Sequence, residues 1–303
     1  MKLKIQLSLF AAIFLAGWVP NVCSEAYGAD PFTRQENVIY AEDFGVAMVM
    51  DIFIPSGDKN GLAIVDVVSG AWHSDRGKMR DHQRAQMFDI FCSRGYTVFA
   101  VRPGSISKFS VPEMVTHIEQ AIVWVKKHAG EYGIDTARIG MTGASAGGHL
   151  ASLVAVKNEG SDAQPGDERA TVKAVGVFFP PTDLTSFSRT AEDASEDGIS
   201  AFTRRILFSG GDAGDLSKEQ IHQRLVDISP ALRVTKGAPP FLLIHGDADK
   251  VVPMEQSTML QHALEEHDVP VELIVKAGGG HPWPTLHEEV AVLADWFDRQ
   301  LRK

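Results

Sequence analysis

A chain of 303 residues, 44% hydrophobic and 22% charged, is long and apolar enough to bury a sizeable core in one domain, which excludes a disordered polymer. A net charge of −10, with no cluster of basic residues interleaved with aromatics, repels a phosphate backbone, so no nucleic acid is expected as a partner.

The chain opens with Lys2 and Lys4, an apolar run from Leu7 to Val19, then Pro20 and the residues Val22, Ser24 and Ala26. This is the pattern of a secretory signal peptide over residues 1–24. Pro20 and Asn21 interrupt the run short of the roughly 20 apolar residues that span a bilayer. The protein is therefore expected to be exported, periplasmic or secreted, with no stable membrane anchor after cleavage. Removing two lysines would take the charge from −10 to −12 and leave Cys92 without a partner for an intramolecular disulfide.

Over residues 30–303 short strand-like runs alternate with amphipathic helical patterns. Alternation of this kind predicts an α/β fold, a mostly parallel central sheet with helices on both faces. Val38–Tyr40 and Ala47–Ile54 read as an opening antiparallel pair. Sheet strands are expected at Leu62–Val68, Thr97–Val101, Arg138–Met141, Val172–Phe179, Phe241–Ile244 and Val271–Val275. Apolar residues at three- to four-residue spacing predict helices at Met79–Arg94, Val111–Lys127, Ser145–Val156, Glu255–His267 and Leu286–Leu301. Gly95, Gly133 and Gly160 fall at C-terminal ends, where glycine accepts a left-handed conformation. Residues 183–236, rich in Ser, Thr, Asp and Gly with weak helical patches at Ile199–Phe208 and Lys218–Val226, read as a small inserted lid.

Between a strand and a helix stands Gly143-Ala144-Ser145-Ala146-Gly147. The spacing has a steric reason, because so tight a reversal at the serine leaves no room for side chains at the two glycines. The hydroxyl is then held at a helix N-terminus, whose dipole favours a developing anion. A serine hydroxyl needs an imidazole to take its proton, and the imidazole needs a carboxylate to hold it. Asp247 and Asp249 lie in a loop after the strand Phe241–Ile244, at the carboxyl edge where open α/β sheets keep their sites. Asp249 is the favoured acid, Asp247 reads as a tie for the turn, and Asp183 is a third candidate. His281 follows a strand and a run of three glycines and is the expected base. His149 and His245 read as buried hydrogen-bonding groups, and His117, His128, His222, His262 and His267 as solvated helix residues. The order Ser145, Asp249, His281 is that of α/β-hydrolases. Amides of Ala146, Gly70 and Ala71 are the candidate oxyanion donors.

These motifs resemble carboxylesterases of the hormone-sensitive-lipase-like and acetylxylan or feruloyl esterase-like α/β-hydrolases. The similarity runs from about Tyr40 to Leu301, carried by Gly143–His149, His245–Pro253, His281 and the turn Tyr132-Gly133-Ile134-Asp135. It implies an α/β-hydrolase fold and a serine hydrolase that cleaves short-chain or sugar and aryl acyl esters through an acyl-enzyme, on a small-molecule or polysaccharide-linked substrate. Neither a metal nor a cofactor is expected. Trp72 and Trp283 are candidate substrate contacts. Val68-Ser69-Gly70-Ala71-Trp72 replaces the family's His-Gly-Gly-Gly-Trp, so Ala71 would cost about 1 kcal/mol if its φ is positive. Pro282 follows His281 where the family has glycine. A serine peptidase of the prolyl-oligopeptidase type shares the triad order, but the several hundred residues of its propeller have no counterpart in the sequence. Dehalogenases and epoxide hydrolases would carry aspartate in place of Ser145.

Overall fold

The computed structural model describes residues 30–157, 169–187, 200–211 and 216–303. The expected signal segment, Gly160 and residues 188–199 and 212–215 of the 183–236 insertion lie outside them. Among the described residues no helix is long and apolar enough to cross a membrane.

Eight strands form one sheet in the order β1-β2-β4-β3-β5-β6-β7-β8. Strands β1 (Phe32–Asp43) and β2 (Val46–Pro55) pair antiparallel, and β2 runs antiparallel to β4 (Thr97–Arg102). From there β3 (Ala63–Val67), β5 (Ile139–Ala144), β6 (Ala174–Phe178), β7 (Phe241–Gly246) and β8 (Val271–Lys276) continue parallel. The fold is that of the α/β-hydrolases.

Both faces of the inner strands are covered, which is why β3 and β6 are buried at every residue and read as continuous apolar runs. The two-residue period sends Val65, Val67, Val175 and Val177 to one layer, against α3 (Val111–Lys127), α5 (Ala146–Lys157) and α8 (Glu255–Glu266). Ile64, Ala174, Phe178 and Leu242 face the other layer, with α9 (Leu286–Leu301). Helix α3 starts in a capping box, where the backbone N–H of Ser110 donates to Glu113 Oε2 at 2.6 Å. In the insertion, α6 (Ala201–Leu207) and α7 (Lys218–Asp227) stand between β6 and β7.

Where one helix was expected over Met79–Arg94, the chain forms α1 (Arg76–Arg84) and α2 (Met87–Ser93), broken at Gln86 with φ 55°. On one continuous helix the buried pair Met79/His82 and the buried group Met87/Phe88/Phe91/Cys92 would lie on nearly opposite faces. The break lets both turn inward. Cys92 is buried in this second layer, its Sγ 3.7 Å from the Phe53 carbonyl oxygen. Desolvation, reinforced by the Asp89 carboxylate, pushes its thiol up to about 12.

His117, expected to be solvated, is only 1% exposed. Its Nδ1 donates to the Pro103 carbonyl at 2.8 Å and its Nε2 meets Asp43 Oδ2 at 2.9 Å. The polar ring fits inside an apolar helix face because both nitrogens are satisfied, which helical spacing alone does not reveal.

Phe297, fully buried on α9, fills the room left by glycines in the sheet: a Cβ at Gly140 would come within 2.5 Å of its Cε1. Phe297→Ala is expected to lower the unfolding free energy by about 3–5 kcal/mol, read from urea denaturation of the purified protein.

Candidate active site

Ser145 sits between β5 and α5 with φ 54°, in the left-handed region that a side chain occupies only under constraint. The Ser145 N–H donates to the Phe178 carbonyl at 2.9 Å, and the Ser145 carbonyl accepts the His149 N–H at 2.9 Å. A Cβ at Gly143 would lie 2.5 Å from the Gly147 carbonyl carbon, and one at Gly147 would overlap the Val67 carbonyl oxygen. The two glycines of the motif are thus required by backbone passing directly over backbone.

The structure brings the three predicted residues together. Ser145 Oγ lies 2.9 Å from His281 Nε2, and His281 Nδ1 lies 2.6 Å from Asp249 Oδ2. The Asp249 side chain is fully buried, and its Oδ1 accepts the amides of Val251 and Val252 at 2.8 and 2.9 Å. Asp247 accepts the Gly278 amide at 2.6 Å and so ties the two loops together, while Asp183 spends its carboxylate on Thr185 and Ser186. A hydroxyl, an imidazole and a buried carboxylate in this line can deprotonate the serine as it attacks a carbonyl carbon.

Two further histidines support the loops. His245 is buried, with Nδ1 2.7 Å from Ser257 Oγ and Nε2 2.9 Å from the Val252 carbonyl and 3.4 Å from Asp249 Oδ2. Burial outweighs these partners and holds it below the ordinary imidazole range. His149 accepts the Trp72 indole N–H on Nδ1 at 3.0 Å and donates from Nε2 to the Ile228 carbonyl at 2.8 Å. It is fully buried, and desolvation lowers it from 6.5 to about 4.

After β3 the chain makes a tight turn in which Gly70 and His73 exchange both backbone hydrogen bonds at 3.0 Å. Its two central residues, Ala71 and Trp72, have φ 48° and 55°. Such a turn needs positive φ at both positions and ordinarily takes Asn or Gly; here it carries strain of about 1–2 kcal/mol per residue. The Lys78 side chain lies along Gly70, where a Cβ would come within 2.7 Å of Lys78 Cδ. The turn also corrects the donor set: the Gly70 N–H is committed to the His73 carbonyl, which removes it. Among the described residues the amides of Ala71 and Ala146 meet no backbone acceptor. The Gly147 N–H donates to the Ser69 carbonyl at 3.0 Å, pinning this turn to the start of α5.

A cavity of about 690 Å³ opens over Ser145 and His281, with Trp72, Phe178, Phe179, Phe187, Trp283 and Leu286 among its apolar walls. The indoles of Trp72 and Trp283 are anchored, the first on His149 and the second on Glu289 Oε2 at 2.7 Å, so each presents carbon to the cavity. Phe179 was not anticipated. It has φ 37° and sets its ring edge against His281, centroids 4.4 Å apart. The Phe178-Phe179-Pro180-Pro181 run after β6 was its only signal. Among the described residues no group of three or more His, Cys, Asp or Glu side chains is placed to hold a metal ion.

With an α/β-hydrolase sheet carrying serine, histidine and aspartate at its carboxyl edge, the class is defined by fold and site together. The chain belongs to the BD-FAE family, which it matches over residues 50–264. It is 29% identical over 231 residues to the "Probable carboxylic ester hydrolase LipM" of Mycobacterium tuberculosis, covering 75% of this chain and 50% of that protein. The chain spans about half the length of the curated relatives it matches. A truncated carbohydrate esterase from gut microbiota superposes with a TM-score of 0.74 at 25% identity, covering 91% of this chain and 99% of that one. A thermophilic esterase of the planctomycete Thermogutta terrifontis gives 0.64 at 26%, covering 86% and 90%.

The His149 environment sets a pH dependence of stability. Because the native ring stays neutral down to about pH 4 while the unfolded chain takes up a proton near 6.5, its contribution is complete above 6.5 and is lost as pH falls toward 4. The full loss is roughly 3 kcal/mol. Urea titrations between about pH 7 and about 4.5 are expected to show a flatter acid limb for His149→Gln than for the wild type.

Proposed function

We propose that this protein is a carboxylic ester hydrolase that works through Ser145, His281 and Asp249. The observation that carries the reading is the line of contacts at 2.9 and 2.6 Å from hydroxyl to imidazole to buried carboxylate, open to one cavity. Ser145 Oγ attacks the ester carbonyl while His281 Nε2 takes its proton, and the imidazolium is held by Asp249. The proton then passes to the leaving alkoxide, and an acyl-serine remains. Water, deprotonated by the same histidine, attacks the acyl carbon; the acyl–Oγ bond breaks, His281 returns the proton to Ser145 Oγ, and the acid leaves. The amides of Ala71 and Ala146 hold the oxyanion in both steps, at the N-terminal end of α5 where the helix dipole adds to them.

The relatives named as esterases and the carbohydrate esterase neighbour support an ester substrate, with a short-chain, sugar or aryl acyl group on a small molecule or a polysaccharide. Largely apolar walls beside a few polar groups suit such an acyl ester. The Asp183–Lys236 insertion acts as the lid, Phe187 and Phe202 packing on Trp72 with centroids 6.3 and 5.2 Å apart. Residues 1–24, with Lys2, Lys4 and the apolar run, act as the export signal that sends the protein to the periplasm or beyond.

Ser145→Ala and His281→Ala are each expected to lower kcat on p-nitrophenyl esters about 10⁴-fold or more, and Asp249→Asn roughly 10³- to 10⁴-fold. A fluorophosphonate probe should label the wild type and leave Ser145→Ala unlabelled. Labelling of that variant, or equal ester turnover by it, rejects the assignment.

A further inference from the structure

A second histidine–aspartate pair, which the reaction does not use, reaches the cavity through its histidine. Asp66 lies in the middle of β3, fully buried, and its Oδ2 is 2.7 Å from Nδ1 of His82 on α1. Among the described residues Asp66 has no other side-chain partner. Its Oδ1 is buried without one, and Thr142, its neighbour across the β3–β5 ladder, keeps its own Oγ1 unpaired rather than donating to it. A buried carboxylate is costly unless compensated, and the compensation at hand is a proton on His82. Burial opposes that proton, but the charge and hydrogen bond of Asp66 prevail and hold His82 above the ordinary imidazole value.

His82 lines the same cavity as Ser145 and His281, and among the described residues its Nε2 has no hydrogen-bond partner. One helical turn earlier on α1, Lys78 lies along Gly70 of the strained turn: a Cβ on Gly70 would stand 3.2 Å from Lys78 Nζ. Among the described residues of the cavity lining, the permanently charged ones are Lys78, Asp81 and Arg84, two cations against one carboxylate, in a chain whose net charge is −10. Asp81 leans to the rim, half exposed, 3.3 Å from Arg84 and 3.8 Å from Lys78. The described wall nearest the turn therefore carries a net positive charge in a chain that is negative as a whole.

Resting on the esterase reading above, we propose that Lys78 and His82 form a subsite for a carboxylate carried by the ester substrate, with Asp66 positioning His82. The His82 Nε2–H and the Lys78 ammonium donate to the carboxylate oxygens, and Asp66 fixes the ring through Nδ1 so that Nε2 stays turned to the cavity.

The test compares matched pairs of esters that differ in one charge: 4-acetoxybenzoate against 4-acetoxybenzamide for the alcohol side, and the 4-nitrophenyl monoester of adipic acid against its terminal amide for the acyl side. The expected result is that wild type prefers the carboxylate member of at least one pair in kcat/KM by about tenfold or more, the scale of one hydrogen bond to a charged group. Lys78→Met and His82→Gln should each bring that ratio toward one, chiefly through KM. Because both rates of a pair come from one preparation, partial misfolding of a variant lowers both and leaves the ratio intact, and Lys78, 37% exposed, can be replaced without opening the core. Turnover of the neutral esters with no preference for their anionic partners, or a preference that survives both substitutions, overturns the subsite alone. Failure of wild type to hydrolyse any of the four esters overturns the esterase reading and the subsite with it.

Discussion

Backbone passing over backbone at the carboxyl edge of the sheet is the constraint on which the rest of this molecule depends. Ser145 is held at positive φ because β5 must turn into α5 with Gly143 beneath Gly147 and the Val67 carbonyl against Gly147. Only glycine fits where the strands and helix touch through their main chains. The same contact fixes the turn after β3, since the Gly147 N–H is bound to the Ser69 carbonyl. Hydroxyl, strained turn and helix N-terminus are therefore a single rigid unit, and the positive φ values at Ala71, Trp72, Ser145 and Phe179 cluster around it. Strain of this kind persists only where surrounding structure over-determines it, which the covered inner strands provide.

The histidines show how identical side chains acquire different charges from their partners alone. His149 has an indole N–H on one nitrogen and a carbonyl on the other, a pattern only the neutral ring satisfies. His245, between a hydroxyl and a carbonyl, is likewise kept neutral by burial. His82 faces a carboxylate with no other ligand and is drawn toward the cation. Neutral rings serve as struts beneath Trp72 and Asp249, while the charge is kept at the cavity wall.

Much of this was legible in the sequence because it is written in spacing. The strand runs, the Gly-x-Ser-x-Gly turn, and the aspartate and histidine after successive strands follow from periods and turn residues, and the structure brings Ser145, Asp249 and His281 together as that order implied. What stayed hidden depends on the third dimension. The break between α1 and α2 arises from two apolar stripes that must both face inward, a conflict visible only once the sheet is known. His117 looks like a solvated helix residue until Pro103 and Asp43 arrive from distant elements. The commitment of the Gly70 amide requires the geometry of a turn whose central residues, Ala71 and Trp72, are not turn formers. His82 carries no motif at all, Phe179 only the aromatic and proline run around it, and both gain their positions from packing.

Cys92 has a practical consequence beyond the fold. Wedged under the Phe53 carbonyl with its thiol raised to about 12, it offers almost no thiolate at neutral pH, so oxidants and alkylating reagents find nothing to attack. Among the described residues, a cysteine engineered on the surface would be the sole site to accept a maleimide dye, with the native Cys92 left in place.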